Sequence, residues 1–174
     1  SLLMASLRAA LHSEIRPHFR LTDMAAKLND FVHISSASDR FITSFFCELN
    51  MEAGELNYIN AGHNPPIVLK KNGKIERLES SGFCLGMFPS VTYEVRSVAL
   101  DIGDVVCLFT DGVTDSRNKD GEEFGEERLI SVLKKSIKQT AAKIVEKTCE
   151  ELSSYTAGVN PFDDMTMIVI KRSR

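Results

Sequence analysis

Two short acidic stretches carry the residue types that could do chemistry. In LFTDGVTDS, residues 108–116, Asp111 follows an unbroken apolar run (Val105 to Phe109) and is itself followed by Gly112. A strand end fixes a carboxylate more firmly than a flexible loop does, and glycine lets the chain turn away at once. The second stretch, FDDMT (residues 162–166), sets Asp163 and Asp164 just before the alternating run MTMIVI. Hard divalent cations such as Mg²⁺ and Mn²⁺ prefer carboxylate oxygens and water. Asp111 and Asp163 are 52 residues apart, but each stands at a strand edge, so sheet pairing could bring them together. If the strand has begun at Asp163, the two adjacent acids point to opposite sides, and one of them faces any given site. Asp-Gly turns and acids at strand boundaries are also common without any ligand, so residue types alone leave both readings open.

Other chemistries have less support. An aspartyl-nucleophile phosphatase needs a second Asp two residues before the Asp-Gly pair, and Phe109 occupies that place. His63, in NAGHNPP, is of the type that serves as a base near neutral pH. No Ser or Cys motif accompanies it as a nucleophile, and Gly62, Pro65 and Pro66 explain the stretch equally well as backbone shaping. His12, His18 and His33 read as helix or helix-end surface positions. The basic residues are dispersed, with Lys134-Lys135 and Lys171-Arg172 as the densest pairs, as expected of solvated faces; Arg40 has no assigned role.

The bulk properties narrow the class. With 174 residues, 43% hydrophobic and 26% charged, the chain fits one globular domain with a substantial core. A net charge of -3 and a pI near 5.8 give no support to nucleic-acid binding. The apolar run at Val105 is far too short to span a bilayer, and no signal-peptide pattern opens the sequence. Cys47, Cys84, Cys107 and Cys149 form no C-x-x-C pair, so neither a zinc site nor a disulfide framework is expected. The expectation is a cytoplasmic protein.

The elements that must position the acids follow from periodicity. Leu3, Leu7, Leu11 and Ile15 recur every four residues and predict a helix from the first residue, with Ser1 as its only available cap. After Pro17, Thr22 is expected to cap a second helix, DMAAKLNDFVHIS, with Met24, Ala25, Leu28 and Phe31 or Val32 inward. Residues 41–49 then alternate as a strand expected to be buried on both faces, and LNYIN returns after the turn at 52–55. Asn72-Gly73 between IVLKK and KIERL is the strongest local hairpin signal. Strands TYEVRSVAL and VVCLFT, two helices (EERLISVLKKS and 140–155) and a last strand at MTMIVI complete the chain. The fold class is α+β, mainly antiparallel sheet with helices on its faces.

In this order the pieces are specific. TSFFCELNMEAGELNYINAGHNPP, LGM, LDIGDVVCLFTDGVTDS, FGEERL and DDMTMIVI together closely resemble the bacterial stage II sporulation protein E branch of the PPM (protein phosphatase 2C-like) phosphatases. The resemblance runs through essentially the whole chain. It implies an antiparallel β-sandwich flanked by helices that hydrolyses phosphoserine or phosphothreonine on proteins with a water activated by two Mn²⁺ or Mg²⁺ ions. It implies Asp111 and Asp163 as catalytic metal-binding aspartates, with Gly112 beside the metal. Asp164 is a neighbour at a position where relatives have Asp or Asn. His63 falls where eukaryotic-type relatives carry Asp, a different residue type, so no metal role passes to it.

One departure shapes the expectation for residues 1–174 as a single domain. The family's Gly-Asp-x-x-Gly-His-Gly motif, whose Asp bridges both metals, does not occur in the sequence, and the family's opening strands are expected to be missing with it. An N-terminally truncated domain that holds one metal ion or none, where a complete domain holds two, is therefore expected, with weak or no phosphatase activity and with self-association through exposed sheet edges and the apolar first helix. By family analogy the substrate is a phosphorylated STAS-type anti-sigma-factor antagonist and a sensor or receiver domain is fused upstream. The alternative is a non-catalytic module of the same fold that binds such a phosphoprotein without turnover.

Overall fold

The computed structural model describes residues 2–15, 17, 19–35, 40–159 and 163–173. Ser1, expected to cap the first helix, and His18 lie outside them. The chain divides into two compact units, Ser1–His63 with Glu79–Ala99, and Asn64–Leu78 with Leu100–Arg174. Each carries one antiparallel sheet and its own helices, which is the α+β class expected from sequence. No helix among the described residues is long and apolar enough to cross a membrane.

In the first unit, helix α1 (Leu2–Glu14) packs on α2 (Leu21–Ser35). Leu7 of the predicted apolar stripe is buried, whereas Ile15 lies past the helix end and is 52% exposed. Helix α2 starts one residue before Thr22, so Thr22 sits inside its first turn rather than at its cap. Met24, Ala25, Leu28 and Val32 pack inward against Ile59, Ala61, Leu85 and Tyr93. Strands β1 (Ser44–Asn50), β2 (Glu55–Ala61) and β5 (Arg96–Ala99) form the order β1-β2-β5. Only β2 is central and well buried. The expectation of two buried faces for β1 fails because β1 is an edge strand: Phe41 lies before it at 55% exposure, and Cys47 and Leu49 are exposed within it.

A polar residue sits at the centre of this apolar layer. Asn29 of α2 is fully buried; its Oδ1 accepts from the Gly86 N–H at 2.9 Å and its Nδ2 donates to the Phe88 carbonyl at 3.0 Å. The amide therefore replaces the hydrogen bonds that the irregular 84–90 loop cannot make to itself. Gly86 closes the same joint, since a Cβ there would lie 2.5 Å from Val32 Cγ1.

In the second unit, β3 (Ile67–Leu69), β4 (Ile75–Arg77), β6 (Val105–Phe109) and β7 (Met167–Lys171) run in the order β4-β3-β6-β7. The β3–β4 hairpin turns at Asn72-Gly73 as expected, with Gly73 at φ 90° and Asn72 Oδ1 accepting from the Lys74 N–H. Between β6 and β7 the chain forms a short helix α3 (Asp111–Thr114), α4 (Gly125–Ser136) and α5 (Ala141–Tyr155). Thr140 caps α5 by accepting from the Lys143 N–H at 3.3 Å. Cys107, Phe109, Leu129, Leu133 and Ile144 meet in one cluster. Burial pushes the Cys107 thiol up to about 12, so it packs as a small apolar group.

At the start of β6, Asp104 is 1% exposed and fully used. Its oxygens accept from the Lys71 and Asp101 N–H groups at 2.8 and 2.9 Å and face the Lys70 ammonium at 3.1 Å. Burial by itself raises this carboxyl, but those backbone donors and the Lys70 charge outweigh it and hold it below the ordinary aspartate value. A depressed folded value contributes stability that is full above the unfolded value of about 3.9 and lost as the pH falls through the folded one. Asp104→Asn is expected to destabilise the protein by about 1–3 kcal/mol at pH 7. Denaturant melts across a pH series are expected to show that deficit shrinking below about pH 4; a pH-independent deficit would contradict the assignment.

Candidate functional site

The chemistry-bearing stretches meet where β6 and β7 leave their ladder. The two strands pair antiparallel, and Phe109 opposite Met167 is the last paired position. One residue further, the Thr110 N–H donates to the Thr166 carbonyl at 3.0 Å. Asp111 then opens α3, and Thr110 is its extended N-cap residue. The Asp-Gly-Val-Thr stretch is thus a single helical turn, where the sequence suggested a tight turn. Val113 points into the core and anchors it.

Gly112 owes its identity to crowding rather than to a special dihedral, since it is absent from the glycines with positive φ. A Cβ there would lie 2.4 Å from the Asp164 carbonyl oxygen and 3.0 Å from its carbonyl carbon. Only glycine lets the segment before β7 come this close. Ser116 adds a further tie: its buried hydroxyl donates to the Gly112 carbonyl at 2.6 Å and lies 3.4 Å from Met165 Sδ.

The backbone segments bearing Asp111, Gly112, Asp163 and Asp164 therefore adjoin, as sheet pairing led us to expect. Because β7 starts only at Met167, Asp163 and Asp164 precede the strand, and the alternation argument does not apply to them. Both Asp111 and Asp163 are exposed. Asp111 Oδ1 accepts from the Gly112 N–H at 3.0 Å, and Asp163 Oδ1 accepts from the Asp164 N–H at 2.7 Å. Each carboxylate is thus oriented through one oxygen by its own neighbour, and the second oxygen makes no hydrogen bond among the described residues. This is a donor set suited to a hard divalent cation. Among the described residues, no group of three or more His, Cys, Asp or Glu is placed to hold a metal ion. His63 belongs to the first unit, where its N–H donates to Asn60 Oδ1 at 2.8 Å.

A family model described as stage II sporulation protein E (SpoIIE) matches residues 1–173. The chain belongs to the SpoIIE family. It is 38% identical over 133 residues to Protein IcfG of Synechocystis sp., covering 76% of this chain and 21% of that protein. It is 28% identical over 175 residues to Phosphoserine phosphatase RsbU of Bacillus subtilis, covering 99% and 51%. The chain therefore spans about half or less of the curated relatives it matches. Its fold is that of the SiaA-PP2C domain of Pseudomonas aeruginosa, with a TM-score of 0.81 at 20% identity over 98% of this chain and 69% of that one. A structure of the phosphatase PstP in complex with 2 manganese ions has the same fold at TM-score 0.64 and 13% identity, covering 97% and 79%.

Two residues of this site, Thr110 and Ser116, carry the ties between segments and were not singled out from the SpoIIE-like sequence. Both flank the Asp-Gly pair, and a hydroxyl residue at a strand end is the signal that marks Thr110. Gly112→Ala is expected to push the Asp164 segment away and destabilise the protein by about 1–3 kcal/mol. Thermal melting checks this, and a melt matching the unsubstituted chain would show that the approach is not tight.

Proposed function

We propose that this chain is the phosphatase portion of a bacterial signalling protein, hydrolysing phosphoserine or phosphothreonine on a protein substrate. The reading is carried by two exposed aspartates, each oriented through one oxygen, that stand on adjoining backbone segments of a SpoIIE-family chain. Asp111 and Asp163 would hold Mn²⁺ or Mg²⁺, two ions when the coordination shell is complete, with Gly112 beside them and Asp164 next to the site. Such ions supply an activated water and offset charge on the phosphoryl oxygens. The chain's own contribution is placement. β6 and α3 fix Asp111, the close contact at Gly112 sets how near the Asp163 segment comes, and no nucleophilic side chain is called upon.

Since two acids make a partial shell, the 174 residues by themselves are proposed to turn over weakly or not at all. A further acid, of the kind carried by the Gly-Asp-x-x-Gly-His-Gly motif, would complete the site. The relative named as a phosphoserine phosphatase supports a phosphoserine substrate; by family analogy that substrate is proposed to be a phosphorylated STAS-type anti-sigma-factor antagonist, with a sensor or receiver domain as fused input and a cytoplasmic setting. The edge strands β1 and β5 of one sheet and β4 and β7 of the other, together with the apolar face of α1, are proposed to favour self-association.

The test uses Mn²⁺-dependent release of phosphate from a phosphoserine protein by a protein that contains this chain together with the bridging motif. Asp111→Asn and Asp163→Asn are each expected to lower the rate by about 100-fold or more with the fold intact by circular dichroism. Unchanged rates would remove these residues from the mechanism. Binding of the phosphoprotein without any turnover would instead favour a non-catalytic recognition module.

A further inference from the structure

Thr110 makes contacts that a surface threonine at a strand end does not need. In a regular antiparallel ladder the Thr166 N–H would bond to the main-chain carbonyl of Thr110. That carbonyl is already used, because it accepts from the Val113 N–H at 3.0 Å as α3 begins. The Thr166 N–H donates instead to Thr110 Oγ1 at 3.0 Å, and the same hydroxyl donates to the Asp164 carbonyl at 3.3 Å. One side chain thus continues the ladder beyond the point where the backbone leaves it, using its single proton and one lone pair. The oxygen it steadies, that of Asp164, is the one pressed against Gly112.

We propose that Thr110 is a positioning residue for the Asp111–Asp163 pair: its hydroxyl stands in for the carbonyl lost to α3 and holds the segment carrying Asp163 in register against Asp111. The inference rests on the reading of these acids as metal ligands. Thr110 adjoins Asp111 in the chain, and Asp163 lies one residue before the carbonyl the hydroxyl grips, so both acids are fixed to one short, stiff element. A β-branched side chain has restricted χ1 freedom, which lowers the entropy of holding the two bonds together. Without the hydroxyl, Thr166 N–H and Asp164 carbonyl lose their partner, residues 163–166 loosen from α3, and the spacing of the acids broadens. Ser116 keeps its hydrogen bond to the Gly112 carbonyl and its contact with Met165 Sδ, so the loss is expected to be local rather than a collapse of the unit.

The experiment takes a protein that contains this chain together with the bridging motif and compares it with its Thr110→Val variant, which keeps the shape but loses the hydroxyl, and its Thr110→Ser variant, which keeps the hydroxyl. Mn²⁺ binding is measured by calorimetry, amide exchange at Thr166 by NMR, and stability by thermal melting. Thr110→Val is expected to weaken Mn²⁺ binding about 10- to 100-fold and to speed Thr166 exchange, with Thr110→Ser close to the unsubstituted protein in both. Mn²⁺ binding by Thr110→Val at unsubstituted affinity would overturn the positioning role. Equal weakening in both variants, tracking a drop in Tm, would also overturn it, assigning Thr110 to general stability. No Mn²⁺ uptake by the unsubstituted protein would overturn the metal reading itself and this role with it, an outcome set apart from the others because it appears before any substitution.

Discussion

The antiparallel pairing of β6 with β7 is the constraint on which the site depends. It places Phe109 opposite Met167 and thereby brings the Asp-Gly and Asp-Asp stretches to the same end of the sheet. The same register sends Cys107 and Phe109 into the core, with Met167 and Val169 packed against that cluster. A slip of one residue would turn those side chains to the other face. Core packing and acid spacing are therefore one degree of freedom, and burial of the apolar face stabilises the register that the carboxylates share. Where the ladder ends, the crowding of Gly112 against the Asp164 carbonyl carries the register past the last main-chain pair.

The first unit solves a different problem. Its 84–90 loop is irregular yet lies against an apolar helix, so its backbone groups need partners that no strand provides. Asn29 answers both needs at once through Gly86 and Phe88. An apolar residue there would leave the buried Gly86 N–H and the Phe88 carbonyl without this partner, which accounts for a polar side chain in the middle of an otherwise hydrophobic face.

Much of this organisation could be read from the chain because it is local. Asn72-Gly73 encodes its hairpin and the apolar alternation of 165–170 its strand, since each depends on neighbours in sequence. The failures depend on partners far away. The run from Phe41 to Leu49 looks buried on both sides, but its exposure is set by its place at a sheet edge. TYEVRSVAL reads as one long strand, yet only Arg96–Ala99 finds a partner in β2. Thr22 looks like a cap because it precedes an acid, although the helix had already begun at Leu21. The acids themselves were legible at Asp111 and Asp163. The reason for Gly112 was not, because a contact with a carbonyl contributed by residue 164 leaves no mark on the residues around 112. Asn29 was missed for a similar reason, its partners being nearly sixty residues downstream.

The tie between Thr110 and Asp164 closes a loop of 54 positions that contains α3, α4 and α5. Helices α4 and α5 can form from local contacts as they leave the ribosome, whereas β6 must wait with one edge unpaired until β7 arrives. At roughly 5–20 residues per second that wait lasts on the order of several seconds. A polypeptide without β7 would still carry Asp111 just beyond β6, but not the paired segment that adjoins it. Closure of this end of the sheet is thus coupled to formation of the β6–β7 ladder.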